Sequence, residues 1–98
     1  MKQVILNGEE LQSREALHGY LERVLSLPEW YGHNLDALYD CLTGELTEET
    51  TLTLRNLEAL LSSLGGYGTV FLRMLREAEE ENPLLHLDLP DDYGEGEE

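Results

Sequence analysis

The sequence predicts a single small α/β domain, a three-stranded parallel sheet carrying four helices in the order β-α-α-β-α-α-β. Two observations predict it. Short apolar or β-branched segments recur near the start, the middle and the end of the chain, and each interval between them holds two stretches of helical hydrophobic periodicity. Strands joined by helical crossovers pair in parallel with right-handed connections, and the helices pack on the sheet. A chain of 98 residues has room for one modest core, and a hydrophobic content of 41% is enough to fold it.

The first strand is Val4-Ile5-Leu6, ended by the turn pair Asn7-Gly8. Ser13 is placed to cap a helix in which Leu17, Tyr20, Leu21, Val24 and Leu25 form one apolar stripe, and Pro28 is expected to end it. The second helix runs from Asn34 as N-cap to Gly44, which is expected to take the left-handed conformation at the C-terminus. Thr51-Leu52-Thr53-Leu54 alternates like a strand, and Leu57, Leu60, Leu61 and Leu64 mark a third helix stopped by Gly65-Gly66. Val70, Phe71, Met74, Leu75 and Ala78 place the fourth helix from Thr69 to Glu81, with Pro83 just beyond it. A last strand from Leu84 to Leu89 puts Leu85, Leu87 and Leu89 on one face and His86 and Asp88 on the other. The domain is thus expected over residues 1–90. Residues 91–98, DDYGEGEE, carry five acids and no apolar period, and a disordered tail is expected there.

Charge narrows the function classes. Twenty-one Asp and Glu against six Lys and Arg give a formal net charge of −15, a field that repels nucleic-acid phosphates and anionic membranes and steers basic partners inward. The single cysteine excludes an intrachain disulfide, the opening MKQVILNGEE has no secretory apolar stretch, and no apolar run approaches the roughly 20 residues of a membrane span. These features predict a soluble cytoplasmic protein of a reducing compartment that binds neither nucleic acid nor membrane.

Asp36 and Asp40 are the most informative residues. Carboxylates at i and i+4 lie about 5–6 Å apart and repel by a few tenths of a kcal/mol on an exposed helix, so helix stability does not explain them. On the helical wheel Leu35, Leu38 and Leu42 fall together while Asp36, Asp40 and Thr43 cluster well round from them. Asp36, in the first turn, is favoured by the helix dipole; Asp40, mid-helix, gains little from it. The preceding loop, Trp30-Tyr31-Gly32-His33, sets two aromatics and a glycine beside the acids, as protein interfaces do at their anchors. Each feature also has a plainer reading. Acids on a helix face are commonly just solvated, and Trp30 or Tyr31 can serve as core, covering the end of the first helix. His33 with Asp36 and Asp40 lacks the spacing of a metal site. Cys41 leans to the apolar side as an inert buried thiol, and paired aspartates hydrolyse glycosides only in a cleft, which an outward helix face on so small a domain is not expected to offer.

From Pro28 to Gly44 the run Pro-Glu-aromatic-Tyr-Gly-x-Asn-Leu-Asp-Ala-Leu-aromatic-Asp-Cys-Leu-Thr-Gly is unbroken. Here the chain resembles the barstar family, intracellular inhibitors of barnase-type ribonucleases. Looser similarity covers Asn7 to Glu9, Leu17-His18 and Arg76 to Ala78. The resemblance implies a barstar-like three-stranded parallel sheet with four helices, and an inhibitor without catalysis or cofactor. Its second helix and preceding loop would plug a ribonuclease active site. It implies Asp40 as the central phosphate mimic, Asp36 as its neighbour, Glu77 as a third acid from the last helix, and Trp30 as the aromatic packed on the enzyme's catalytic histidine. Gly32, Asn34, Tyr39, Thr43 and Gly44 fall on other interface positions, with Tyr31 beside them in the loop. The chain departs from the family pattern at Tyr39 and Glu45, where aromatics differ or are lost, and at His33, which replaces an acid; an altered partner is implied. The expectation is a monomeric immunity protein whose partner is a basic, extracellular-type ribonuclease or toxin domain. The alternative is a regulatory module that binds another basic protein lacking ribonuclease activity.

Overall fold

A computed structural model of the chain describes residues 1–90. The elements are β1 (Lys2–Asn7), α1 (Arg14–Leu25), α2 (Leu35–Gly44), β2 (Thr50–Arg55), α3 (Leu57–Leu64), α4 (Gly66–Glu81) and β3 (Leu85–Asp88). This is the predicted order. The tail expected at residues 91–98 lies outside the described residues.

β2 pairs in parallel with β1 on one side and β3 on the other, giving the strand order β1-β2-β3. Each crossover therefore steps across the sheet in the same direction, and right-handed connections then lay both helix pairs on one face. The burial pattern agrees. Val4, Leu6, Leu52, Leu54 and Leu85 are buried against the helices, whereas Gln3, Ile5 and Thr53 alternate outward. Parallel sheets are ordinarily covered on both faces; here the outer row is mostly polar, and Ile5 is its one strongly exposed aliphatic, at 47%. The edges are occupied as well. The Tyr20 hydroxyl donates to the Ile5 carbonyl at 2.7 Å on β1, and a Glu79 carboxylate oxygen accepts the Leu87 N–H at 2.9 Å on β3. Side chains on the edge groups leave less backbone for another strand to pair with.

Several boundaries differ from the sequence reading: β1 runs from Lys2 to Asn7, β2 extends one residue at each end to Thr50 and Arg55, and four others differ for local reasons. α1 ends at Leu25, before Pro28, because Ser26 adopts a left-handed conformation (φ 54°, ψ 51°) and its N–H bonds back to Arg23. Gly44 stays helical, and Glu45 caps α2 in a right-handed conformation (φ −115°, ψ −8°). Gly65 alone makes the turn between α3 and α4: at φ 61° it reverses the chain in a region that L residues rarely adopt, so Gly66 already begins α4 and the helix starts three residues before Thr69. β3 is shorter than expected, Leu85–Asp88, because pairing with β2 extends only from Leu85 to Asp88.

Candidate partner-binding site

Local rules place α2. Asn34 is extended (φ −139°, ψ 169°), its Oδ1 accepts the Ala37 N–H at 2.7 Å, and its Nδ2 donates to the Gly32 carbonyl at 3.2 Å. One side chain caps the helix and closes the loop in front of it. Leu38, Cys41 and Leu42 are fully buried, so the helical period leaves Asp36 and Asp40 exposed. At the other end of the helix the buried Asn82, C-cap of α4, donates from Nδ2 to the Leu42 carbonyl at 2.8 Å and accepts the Leu84 N–H at Oδ1. A satisfied buried amide thus pins α2 against α4.

The two helices form an open groove of about 570 Å³. Leu35, Asp36, Tyr39 and Asp40 line it from α2; Val70, Arg73, Met74 and Glu77 line it from α4. The expectation of a helix face without a cleft is therefore corrected, because α4 raises a second wall. No ion pair among the described residues engages the carboxylates of Asp36, Asp40 or Glu77. Their field shows at Tyr39. Burial first, then the carboxylates of Glu81, Glu77 and Asp40, push its phenol above the ordinary value. Burial, then Glu45 and Asp40, likewise raise the thiol of Cys41, a free and fully buried residue with no reactive character.

The loop between α1 and α2 is held from below. Tyr31 is buried, 4% exposed, and its hydroxyl is hydrogen-bonded to Nδ1 of the buried His18. Nε2 of the same ring meets the Tyr67 hydroxyl at 2.5 Å, so α1, the loop and the first turn of α4 share one imidazole. A neutral imidazole donates at one nitrogen and accepts at the other, so one tyrosine receives a hydrogen bond and the other gives one. Burial, then the neighbouring His33 and Arg14, lower the pKa of His18. Burial chiefly raises that of Tyr31, so its hydroxyl keeps its proton. His33 has left-handed backbone (φ 56°), and its Nε2 meets a Glu22 carboxylate oxygen at 2.8 Å, turning the side chain back to α1 and away from the aspartates. Among the described residues no group of three or more His, Cys, Asp or Glu is arranged to hold a metal. Trp30, by contrast, stands 57% exposed on this pinned loop. A tryptophan so exposed has little to do with folding.

Of the ten residues singled out, four line the groove together: Asp36, Tyr39, Asp40 and Glu77. Trp30 and Gly32 are exposed in the loop, and Asn34 caps the helix. Thr43 donates its hydroxyl to the Tyr39 carbonyl at 2.7 Å, and Gly44 is exposed at the helix end. Tyr31 faces inward, which gives it the role of covering α1 and leaves its side chain no open surface. The sequence reading missed Leu35, which it grouped with the apolar Leu38 and Leu42, and on α4 it missed Val70, Arg73 and Met74. On α4 the signal was present: with Glu77 those three recur at i, i+3, i+4 and i+7, one stripe of the helix.

The family model described as Barstar (barnase inhibitor) matches residues 1–95. A protein of Bacillus subtilis (strain 168), described as "Putative ribonuclease inhibitor YrdF", is 42% identical over 81 residues, covering 83% of this chain and 89% of that protein. A family match over residues 1–95 and a relative 42% identical over 83% of this chain leave one conclusion: the chain belongs to the barstar family.

Proposed function

We propose that this protein is a ribonuclease inhibitor, an immunity protein that closes the active site of a basic ribonuclease or ribonuclease toxin domain one to one. α2 and the Trp30 loop enter the cleft. Asp40 takes the place of a substrate phosphate among the enzyme's cations, with Asp36 and Glu77 beside it, and Trp30 packs on the catalytic base or acid. Desolvated pairs between these carboxylates and arginines supply specificity and fast association. The observation that carries this reading is the convergence of Asp36, Asp40 and Glu77 from two helices on one open groove, with no charged partner among the described residues. Like charges held side by side cost folding a little, and a cationic partner removes that cost.

Hydrolysis is the weaker use of the same residues. A carboxylate pair that hydrolyses needs one carboxyl in an apolar, water-poor pocket, whereas Asp36 and Asp40 both stand exposed at an open groove. Titrating the protein into a panel of barnase-type ribonucleases tests the proposal. RNA cleavage by at least one of them is expected to fall linearly to zero at one equivalent. Full activity of every enzyme at micromolar protein would reject the inhibitor reading and favour a basic partner without nuclease activity.

A further inference from the structure

We propose that Arg73 selects among ribonuclease partners by pairing with a carboxylate on the rim of the partner's active site. The inference rests on the inhibitor reading above. The groove is not uniformly anionic. On its α4 wall, Arg73 sits one turn before Glu77 and opposite the α2 wall that carries Asp36 and Asp40. A chain with only six Lys and Arg is sparing with cations, and several of them have visible work in the fold. Lys2 donates to the Val24 carbonyl at 3.1 Å, Arg14 lies 4.1 Å over the Tyr67 ring, and Arg23 lies over Tyr20. Arg73 is exposed, and no ion pair or hydrogen bond among the described residues engages it. Glu77 is near enough along the helix to be its partner, but cation before anion is the weaker order for such a pair.

The guanidinium therefore presents its N–H donors to water in the free protein. Once a partner covers the groove, that water is lost and the donors need acceptors. A partner surface of unbroken Lys and Arg answers Asp36, Asp40 and Glu77 but sets a like charge against Arg73. A surface with one carboxylate among its cations answers all four, and the planar fork of arginine meets that carboxylate with two parallel hydrogen bonds. Specificity then comes as much from the penalty on the wrong partner as from the contact with the right one.

If Arg73 instead serves only to soften repulsion among the acids, removing it makes the groove more anionic, speeds association and leaves dissociation unchanged. Stopped-flow association and competition dissociation, measured with a barnase-type ribonuclease that the intact chain inhibits, separate the two. Gln keeps the helix propensity and much of the length while removing the charge, and a thermal melt confirms the fold of each variant. Arg73→Gln is expected to raise k_off roughly tenfold or more while k_on stays level or rises, and Arg73→Lys to fall between. Replacing the ribonuclease's rim carboxylates by Ala one at a time is expected to find one whose loss abolishes the effect of Arg73→Gln. An unchanged or lowered k_off, or no rim carboxylate that couples, overturns the assignment while leaving the inhibitor reading intact. Failure of the intact chain to inhibit any ribonuclease overturns both.

Discussion

Replacing Asp40 by Ala separates binding from folding in one molecule. The side chain is exposed, mid-helix, one turn from Asp36 and across the groove from Glu77, and no ion pair among the described residues engages it. Folding is therefore expected to improve. Relief of an i, i+4 repulsion contributes a few tenths of a kcal/mol, and exchanging Asp for Ala in a helix interior adds up to about 0.7 kcal/mol. A gain of about 0.5–1 kcal/mol in a domain of this size corresponds to a rise in Tm of roughly 2–8 °C. Binding is expected to move the other way. Removing the anion leaves the ribonuclease's cations desolvated and unpaired, a loss of about 2–5 kcal/mol, or about 30-fold to several thousand-fold in Kd, chiefly through k_off. Urea denaturation gives the first quantity and stopped-flow kinetics with an inhibited ribonuclease the second. A variant that unfolds more easily yet binds as tightly as the parent would refute the reasoning, because Asp40 would then be a structural residue.

Two further outcomes follow from the fold. Gly8→Ala is expected to destabilise the domain by about 2 kcal/mol or more, because an added Cβ would sit 2.2 Å from the Asn56 carbonyl oxygen and 2.8 Å from the Leu60 nitrogen, backbone atoms at the start of α3 that cannot swing aside; an unchanged urea midpoint would show that the β1–α3 contact yields. Stability is also expected to fall as the pH drops below 6.5, the ordinary histidine value. There the unfolded chain binds a proton that buried His18 refuses until its own lower pKa is reached, and the loss levels off below that point. Unfolding in urea between pH 8 and 5 reads the slope, which His18→Gln is expected to remove from this window, and an equal slope in that variant would assign it to another group.

Local rules carried the sequence reading a long way. Ser13 accepts the Ala16 N–H as its place before the first stripe predicts, and Asn34 caps α2. Leu17, Leu21 and Leu25 of α1, Leu38 and Leu42 of α2, and Phe71, Met74, Leu75 and Ala78 of α4 are buried as their periods predict, whereas Val70 of the α4 stripe stands 45% exposed and His18 and Leu72, outside the stripes, are buried. The outward direction of Asp36 and Asp40 follows from the same period, since burying Leu38 and Leu42 turns positions 36 and 40 away. Glu77 is different. Nothing in its own neighbourhood marks it among the acids of α4, and it enters the sequence reading only through the family motif. The start of α4 also escaped local rules. Gly66-Tyr67-Gly68 reads as a helix breaker, yet Gly68 is buried where α4 crosses α3, with Leu61 and Leu64 close to where a Cβ would stand.

Seven elements, their parallel crossovers and the acidic face of α2 are legible along the chain. Each is written in neighbours a few residues apart, through the helical period, the strand period or a cap. What those faces meet is set by packing between distant segments. Asn82 reaches Leu42 across 40 residues, and that bond helps to set α4 beside α2 so that an acidic helix face becomes one wall of a groove. His18 reaches Tyr67 across 49 residues and Tyr31 across 13, which turns Tyr31 inward as an anchor and leaves Trp30 as the exposed aromatic. Such contacts come from packing distant segments into one core, where shape and hydrogen-bond satisfaction choose the neighbours, and no period along the chain encodes them.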